Sequence, residues 1–420
     1  MASRSLVARV LPKFPTRVVA GAGMLIEKLN GVWTFAVNGG NLGVQVPPLD
    51  TANTYVFVQL PDGSTAKITL AAAIALAIPV EYPGRKNSFL NGGFTVWQRG
   101  TNSIQGPAGT RTYTADRWAV TSQGAALSQV SRNNHGISNP PRSGGMLALV
   151  GNAGVTTVDI DQRIEAGAGG GTYLLTNPLV AAPQIAFSCY INNVTGSAFT
   201  PTLFVETPSA IDNWASSQIV NGGGAGEALQ SVPSGGGWTR VTWLGTPGGY
   251  PNVGNGIGFR LRIPSGSLDS NAKVLNITDM MVEPRASADG LFSPFEVVDF
   301  ASELLRCQRY FQKSFPYATK PSQNAGPNAS VAISQTVGAA VTMRGWSIRL
   351  ATVMRNSFTI TFFNPSAANA FARNVDAVAD CSVTSTVDSG DAGFAILLTT
   401  AAGSAAGQRN IIHYTVDAEL

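Results

Sequence analysis

The stretch QIAFSCYI, residues 184–191, sets apolar Ile185, Phe187, Cys189 and Ile191 against Gln184, Ala186, Ser188 and Tyr190 in strict alternation. Period two is the signature of a strand with one face turned to a core. Working outward, TPTLFVET (200–207), WTRVTWLG (238–245), IGFRLRIP (257–264) and KVLNITDMMVEP (273–284) alternate in the same way. Glycine clusters separate them: GAGGG at 167–171, GGGAG at 222–226 and SGGG at 234–237. Several short strands at such spacing predict a jelly-roll-like β-sandwich, here over residues 87–298.

Composition extends this to the whole chain. Its 420 residues exceed one ordinary core, and 46 glycines with 24 prolines are the punctuation of many short strands, so the fold class is all-β with more than one domain. Only 12% of residues are charged against 44% hydrophobic, which favours a surface shared with neighbouring copies, an oligomer. The net charge of +4 is scattered over single Lys and Arg residues, with no basic run to neutralise phosphates, so nucleic acid is excluded as a partner. The most apolar run, Ile68–Val80, falls short of the roughly 20 residues a bilayer requires, so no membrane insertion is expected. The basic N-terminus lacks the apolar core of a secretory signal and is read as mature chain. Cys189, Cys307 and Cys381 lie far apart with no CxxC pair, and His135 and His413 are the only histidines. Neither a metal site nor a Ser/His/Asp triad is expected from so sparse a set, and no cofactor is implied.

Flanking the sandwich, residues 1–86 read as a small α+β unit. In it Tyr55–Leu60, the turn Pro61-Asp62-Gly63-Ser64 and Ala66–Leu70 form a hairpin, an Ala-rich helix runs from Leu70 to Ile78, and EYPGRKN is a linker. Residues 299–315 hold the one strongly helical segment, containing ELLRCQRYFQKS (303–314). Asp299 or Ser302 can cap it. Phe300, Leu304, Leu305, Cys307, Tyr310 and Phe311 form an apolar stripe, with Glu303, Arg306, Arg309, Gln312 and Lys313 on the remainder. Residues 316–420 return to strands and read as a C-terminal β domain.

Four elements together carry a family resemblance: NGGFTVWQRGT (91–101), YTADRWAV (113–120), VEPRASADGLFSPFE leading into ELLRCQRYFQKS, and the closing HYTVDAEL. This set resembles the tail fibre proteins of tailed phages and prophages, which carry an NGDF-x-WQRG motif, a DRW motif, an SPFE element and a helix with CQRYF. VFVQLPDGSTAKITLAAAIAL, 56–76, is similar to the hairpin and helix near the virion anchors of tail fibres and tail spikes. The resemblance implies a virion structural protein assembled in the bacterial cytoplasm. It would be a homotrimer joined to tail adaptor or tube proteins through residues 1–86, and it would recognise host polysaccharide or lipopolysaccharide. A head fibre or capsid decoration protein is the alternative, and a polysaccharide-degrading tail spike a further one.

Candidate contact residues follow from sequence context. Trp97 and Trp118 sit among apolar neighbours and are read as core, whereas Trp214 in PSAIDNWASSQ and Tyr250 in TPGGYPN stand in turn-rich segments that predict exposed loops. In the last domain Trp346, Asn364, Asn369, Arg373 and Asn374 are candidates for a receptor-facing surface. Asp159 and Asp161 share a strand face, as a glycosidase pair would, but alternation alone produces such pairs and they are read as exposed strand residues. The glycine-rich GGGAGEAL lacks the Lys-Ser/Thr ending of a phosphate loop. No catalytic role is expected.

Overall fold

In the computed structural model the described residues are 6–8, 17–20, 24–29, 32–37, 55–59, 65–69 and 86–420, the last without 103–104, 135–140, 168–183, 247–249, 286–291 and 356–357. Side chains before 86 and those of 285, 344–346 and 384–389 also lie outside the description. The chain forms two compact units, Met1–Gly84 and Arg85–Leu420. In the first, Leu6–Ala8, Val32–Val37, Met24–Leu29 and Arg17–Ala20 line up in that order as an antiparallel sheet, and Tyr55–Gln59 pairs with Thr65–Thr69. The Ala-rich helix at 70–78, the turn at 61–64, the linker residues 81–85, His135 and most of the 167–171 glycine cluster fall outside the described residues.

The second unit opens with the sandwich. One sheet runs Trp238–Gly245, Gln184–Val194, Val274–Arg285, Gly145–Val150, Gln129–Asn134. The other runs Asn213–Ile219, Thr202–Ala210, Ile257–Ile263, Val158–Ile164, Ala119–Ser122, Thr112–Tyr113. All pairings are antiparallel. The alternation in the sequence places Ile185, Phe187, Cys189 and Ile191 of the first sheet against Leu203, Val205, Phe259 and Leu261 of the second in one continuous core. Each such side chain contributes roughly 1.5–3 kcal/mol when removed from water. At the centre Phe89 meets Trp118 at 5.0 Å and Phe259 at 5.4 Å between ring centroids, both edge to face. Trp97 and Trp118 are fully buried, as their apolar contexts predict.

Residues 311–420 build a second lobe with a separate core of Phe394, Ile396, Leu398, Ile412 and Val416. Its organising element is the strand Arg409–Asp417, which pairs along its length with Phe311–Lys313, Val331–Ser334, Thr359–Phe363 and Ala372–Asn374. From Ala372–Asn374 the sheet continues through Ala379–Gly390 and Gly393–Thr399 to Thr342–Arg349.

Between the lobes lies the helix Phe300–Gln308, capped by the Asp299 carboxylate accepting from Ser302 N at 2.9 Å. The stripe expected from spacing packs only in part. Phe300 is 46% and Leu305 50% exposed, whereas Glu303 and Cys307 are buried. The reason is a polar demand rather than an apolar one: Glu303 Oε1 accepts the main-chain N–H of Asn91, and the helix turns that side inward. Tyr310 and Phe311 are buried beyond the helix end, in the turn and strand that follow.

Gly92 marks how tightly this region closes, since a Cβ there would lie 2.0 Å from the Met280 carbonyl oxygen, which accepts from Asn87 Nδ2 at 3.0 Å. Gly92→Ala is therefore expected to destabilise the second unit by about 3 kcal/mol, read as a lowered urea midpoint with unchanged slope.

Candidate functional site

The segments quoted for the family resemblance meet in space. Asn91, at φ 55°, turns the chain so that its amide Nδ2 donates to Val96 O and Asp116 O while Oδ1 accepts from Thr95 N and Val96 N. Trp118 Nε1 donates to Asn91 O, and Trp97 Nε1 to Phe94 O. Gln98 Nε2 reaches Asp116 Oδ2 at 2.7 Å and the Phe311 carbonyl at 2.9 Å, joining the sandwich to the strand after the helix. Arg99 packs 3.8 Å from the Phe311 ring and pairs with Asp417 at 3.1 Å and Glu419 at 3.4 Å. Buried Arg117 pairs with Glu419 and lies 3.6 Å over the Tyr310 ring.

The chain's final residues complete this knot. Ala418 N donates to Tyr310 O, and Ala418 O accepts from Arg355 Nε at 3.1 Å. The Leu420 oxygen accepts from Arg111 at 2.8 Å, Tyr113 OH at 2.6 Å and Arg163 at 2.9 Å. Two further bridges, Arg309–Glu165 at 3.1 Å and Arg355–Asp212 at 2.9 Å, flank it. Burial pushes the Asp116 carboxyl up to about 6, against the pull of Arg99 and the Gln98 hydrogen bonds, with nearby Glu419 adding to the rise. Burial also works against the charge on Arg117, but Glu419 holds it charged above its usual value. Lys313, its ammonium donating to Tyr317 O and Thr319 O, is brought down to about 8 by burial.

The outer face of the second sheet of the sandwich corrects one expectation. Asp159 and Asp161 are buried, not exposed. Asp159 is gripped by Arg262 at 2.7 Å and Arg260 at 3.1 Å, and Asp161 by Arg111 at 2.6 Å. Neighbouring strands had supplied arginines directly opposite, Arg262 across from Asp159 and Arg260 across from Asp161. Trp214 is likewise no exposed platform. Only 8% of it is accessible, since its ring lies across Gly256 and Gly258, where a Cβ would come within 3.2 and 3.0 Å, and Arg163 sits 5.0 Å from the ring. Tyr250 is half-buried against the sandwich core, and burial raises its phenol to about 12.

In the C-terminal lobe the expected polar residues divide. Asn374 is buried, its amide donating to Gln335 and Gln408 and its oxygen holding the turn at Asp376 and Ala377. Asn364 is buried as well, yet it belongs with Asn369 and Arg373 to one cluster. All three converge on the Asp380 carboxylate: Asn364 Nδ2 at 3.0 Å, Asn369 Nδ2 at 2.8 Å and Arg373 at 3.0 Å. Those hydrogen bonds hold Asp380 below the ordinary carboxylate range although burial opposes them. Trp346 lies on Thr342–Arg349 opposite Ile396, with its side chain outside the described residues.

Two apolar side chains border this cluster and were missed from sequence. Phe371, two residues before Arg373, is 41% exposed, and Val378, two residues before Asp380, is 68% exposed. Val378 also holds φ at 54°, a conformation that β-branched residues rarely adopt. An exposed apolar residue in a strained turn, beside half-buried planar polar groups, makes this hairpin the site best suited to an external ligand. Alternation across ARN and VADCS carried a signal for the Arg373–Asp380 pairing. Nothing in the sequence marked the strain.

No family model matches the chain, and no curated protein matches it. Among solved structures, the enzymatically active domain of bacteriophage CBA120 tailspike protein 4 is 13% identical over 48% of this chain and 22% of that one, with a TM-score of 0.25. This chain thus spans under a quarter of that tailspike domain's length. TmCBM61 in complex with β-1,4-galactotriose is 11% identical over 48% of this chain and all of its own, with a TM-score of 0.28. The CBM22-2 xylan-binding domain of Paenibacillus barcinonensis Xyn10C is 10% identical over 40% of this chain and 92% of its own, at 0.26.

The knot has a measurable pH signature. Because the folded Asp116 carboxyl binds its proton more tightly than the unfolded one, this group's contribution to stability falls as pH rises through the window from about 4 to 6. Asp116→Asn removes that slope. Urea denaturation across this range is expected to show wild type losing roughly 1–3 kcal/mol relative to the variant, with no further divergence above pH 7.

Proposed function

We propose that the chain is a tailed-phage fibre protein, a structural and binding component of the virion that attaches to the host surface. The observation that carries this is the convergence of the four motif segments on one buried knot. Their polar side chains are consumed in holding two β lobes together, which suits a rigid scaffold whose loops do the recognising. The paired state of Asp159 and Asp161 further supports binding over glycan hydrolysis, since a glycosidase keeps one carboxyl free to donate and one free to attack.

In this proposal residues 1–86 attach to tail adaptor or tube proteins, and the hairpin of Phe371, Arg373, Val378 and Asp380 contacts host polysaccharide or lipopolysaccharide. Planar polar groups beside an apolar ring match the mixed hydroxyl and C–H faces of a sugar. Individual contacts are weak, with single-site dissociation constants of roughly micromolar to millimolar, and several tips on one particle multiply them. The test uses labelled Met1–Gly84 and Arg85–Leu420 on a sensitive host and on a resistant strain. Only the second fragment is expected to bind, only the sensitive strain, and Phe371→Ala with Arg373→Ala should lower that binding at least tenfold. Binding by neither fragment, or equally to both strains, overturns the proposal.

The same reading includes a homotrimer. Val297, Phe300 and Leu305 lie exposed at and beside the linking helix, an apolar set that neighbouring copies would cover. Native mass measurement is expected to give three copies of the 43.7 kDa chain, and a dominant monomer counts against it.

A further inference from the structure

The outer faces of the two sandwich sheets are built differently. On the second sheet ion pairs close the face, Asp159 with Arg260 and Arg262, and Asp161 with Arg111. On the first, the strands Trp238–Gly245, Gln184–Val194 and Val274–Arg285 carry an aromatic and amide strip at the end away from Gln184 and Arg285. Register lines it up. Asn192 lies across from Trp238 on one side and from Asn276 on the other, and Tyr190 lies across from Arg240 and Thr278. Ile191, Val241, Leu275 and Ile277, the alternate residues, belong to the core, so Trp238, Arg240, Tyr190, Asn192 and Asn276 share the outer face. All of them are half-buried. Two strand spacings across and two residues along make the strip roughly 10 Å by 7 Å, the area of a short run of linked sugar rings.

Two polar atoms in this strip are buried without a hydrogen-bond partner among the described residues: Asn276 Oδ1, an acceptor, and Arg240 Nε, a donor. Such atoms are rare in folded chains, and two of opposite type on one face call for a group that both donates and accepts. A hydroxyl does both. The χ2 torsion of an asparagine is soft and Asn276 is half-exposed, so a rotation of its amide presents Oδ1 to a ligand.

The strip makes no demand for a charged partner. Arg240 Nη2 is already donating to Ser293 O and, at 3.2 Å, to Ser188 Oγ. Glu283 accepts from Ser293 N at 3.0 Å, which brings a carboxylate up to the residue that the guanidinium holds. The two rings supply the apolar part: Tyr190, 5.8 Å from the Arg240 guanidinium, and Trp238, diagonally across on the neighbouring strand. The C–H face of a pyranose packs on such rings while its hydroxyls reach the amides beside them. We propose that this strip is a binding site for an uncharged oligosaccharide, separate from the hairpin of the C-terminal lobe. It shares only the chemical class of its ligand with the hairpin, and it stands whether or not the chain attaches to a host.

Saturation-transfer NMR on the full chain tests this, with maltotriose, cellotriose and mannotriose as neutral probes and trigalacturonate as the acidic one. At least one neutral trisaccharide is expected to bind, with a dissociation constant raised at least tenfold by Trp238→Ala and by Tyr190→Ala and unchanged by Phe371→Ala in the hairpin. Asn276→Leu separates binding from folding: removal of an unpaired buried amide is expected to leave the urea midpoint at or above that of wild type while abolishing the transfer. Binding of no neutral trisaccharide overturns the site, as does tighter binding of trigalacturonate than of all the neutral probes, or neutral binding that survives every substitution in the strip. Sugar binding lost only in Phe371→Ala places the ligand on the hairpin, which overturns this site and keeps the recognition reading. Sugar binding lost in the strip variants, by a chain that adsorbs to no host, keeps this site and discards that reading.

Discussion

Asp116, Arg117 and Glu419 are charged groups with almost no access to water, and the second unit depends on resolving that constraint. A single ion buried alone is costly by several kcal/mol, so each of these is tolerable only where its partners are delivered. Arg117, at the first edge of the sandwich, is met by Glu419 from the end of the C-terminal lobe, and Asp116 is met by Arg99, which itself reaches Asp417 and Glu419. Neither lobe satisfies the set by itself. The charges thus specify a relative placement of the two lobes that apolar contact alone would leave loose.

This explains why one α-helix interrupts the strands among the described residues. Nine residues of helix bring Glu303 to the main chain of Asn91, and Tyr310 and Phe311 follow immediately as flat supports for Arg117 and Arg99. Helix, motif turn and tail are parts of one joint, and the apolar side chains left outside it at Phe300 and Leu305 are surplus to the joint's own packing.

Strand alternation made the sandwich legible from residues 184–284, because period two is a local property that the core uses there, with a break at Asp279, φ 51°, beyond which Met280 and Val282 take the core face that Leu275 and Ile277 hold before it. The helix and its Asp299 cap were equally legible. Which helix face packs was not, since spacing ranks side chains by apolarity and the decisive contact was a carboxylate meeting an unpaired N–H from 212 residues away. The same limit explains Trp214 and the two aspartates. Turn-rich context predicted an exposed indole and alternation exposed carboxylates, but Gly256 and Gly258, two strands away, gave the indole a bed, and Arg111, Arg260 and Arg262 covered the carboxylates. For the candidate site, sequence pointed to Asn364, Asn369 and Arg373 as polar and C-terminal. Their common partner Asp380, and the apolar border beside them, exist only once the hairpin closes.

The strand Arg409–Asp417 gives the lobe a mechanical character. It is bonded on both sides to segments from the whole length of the lobe, and its end is anchored among the arginines of the sandwich. A pull between the hairpin and the sandwich therefore runs along the strand, loading its hydrogen bonds in shear and together, so that they do not unzip one at a time. A protein strung in this manner resists tension best along its own axis and yields most readily to a sideways peel at the hairpin.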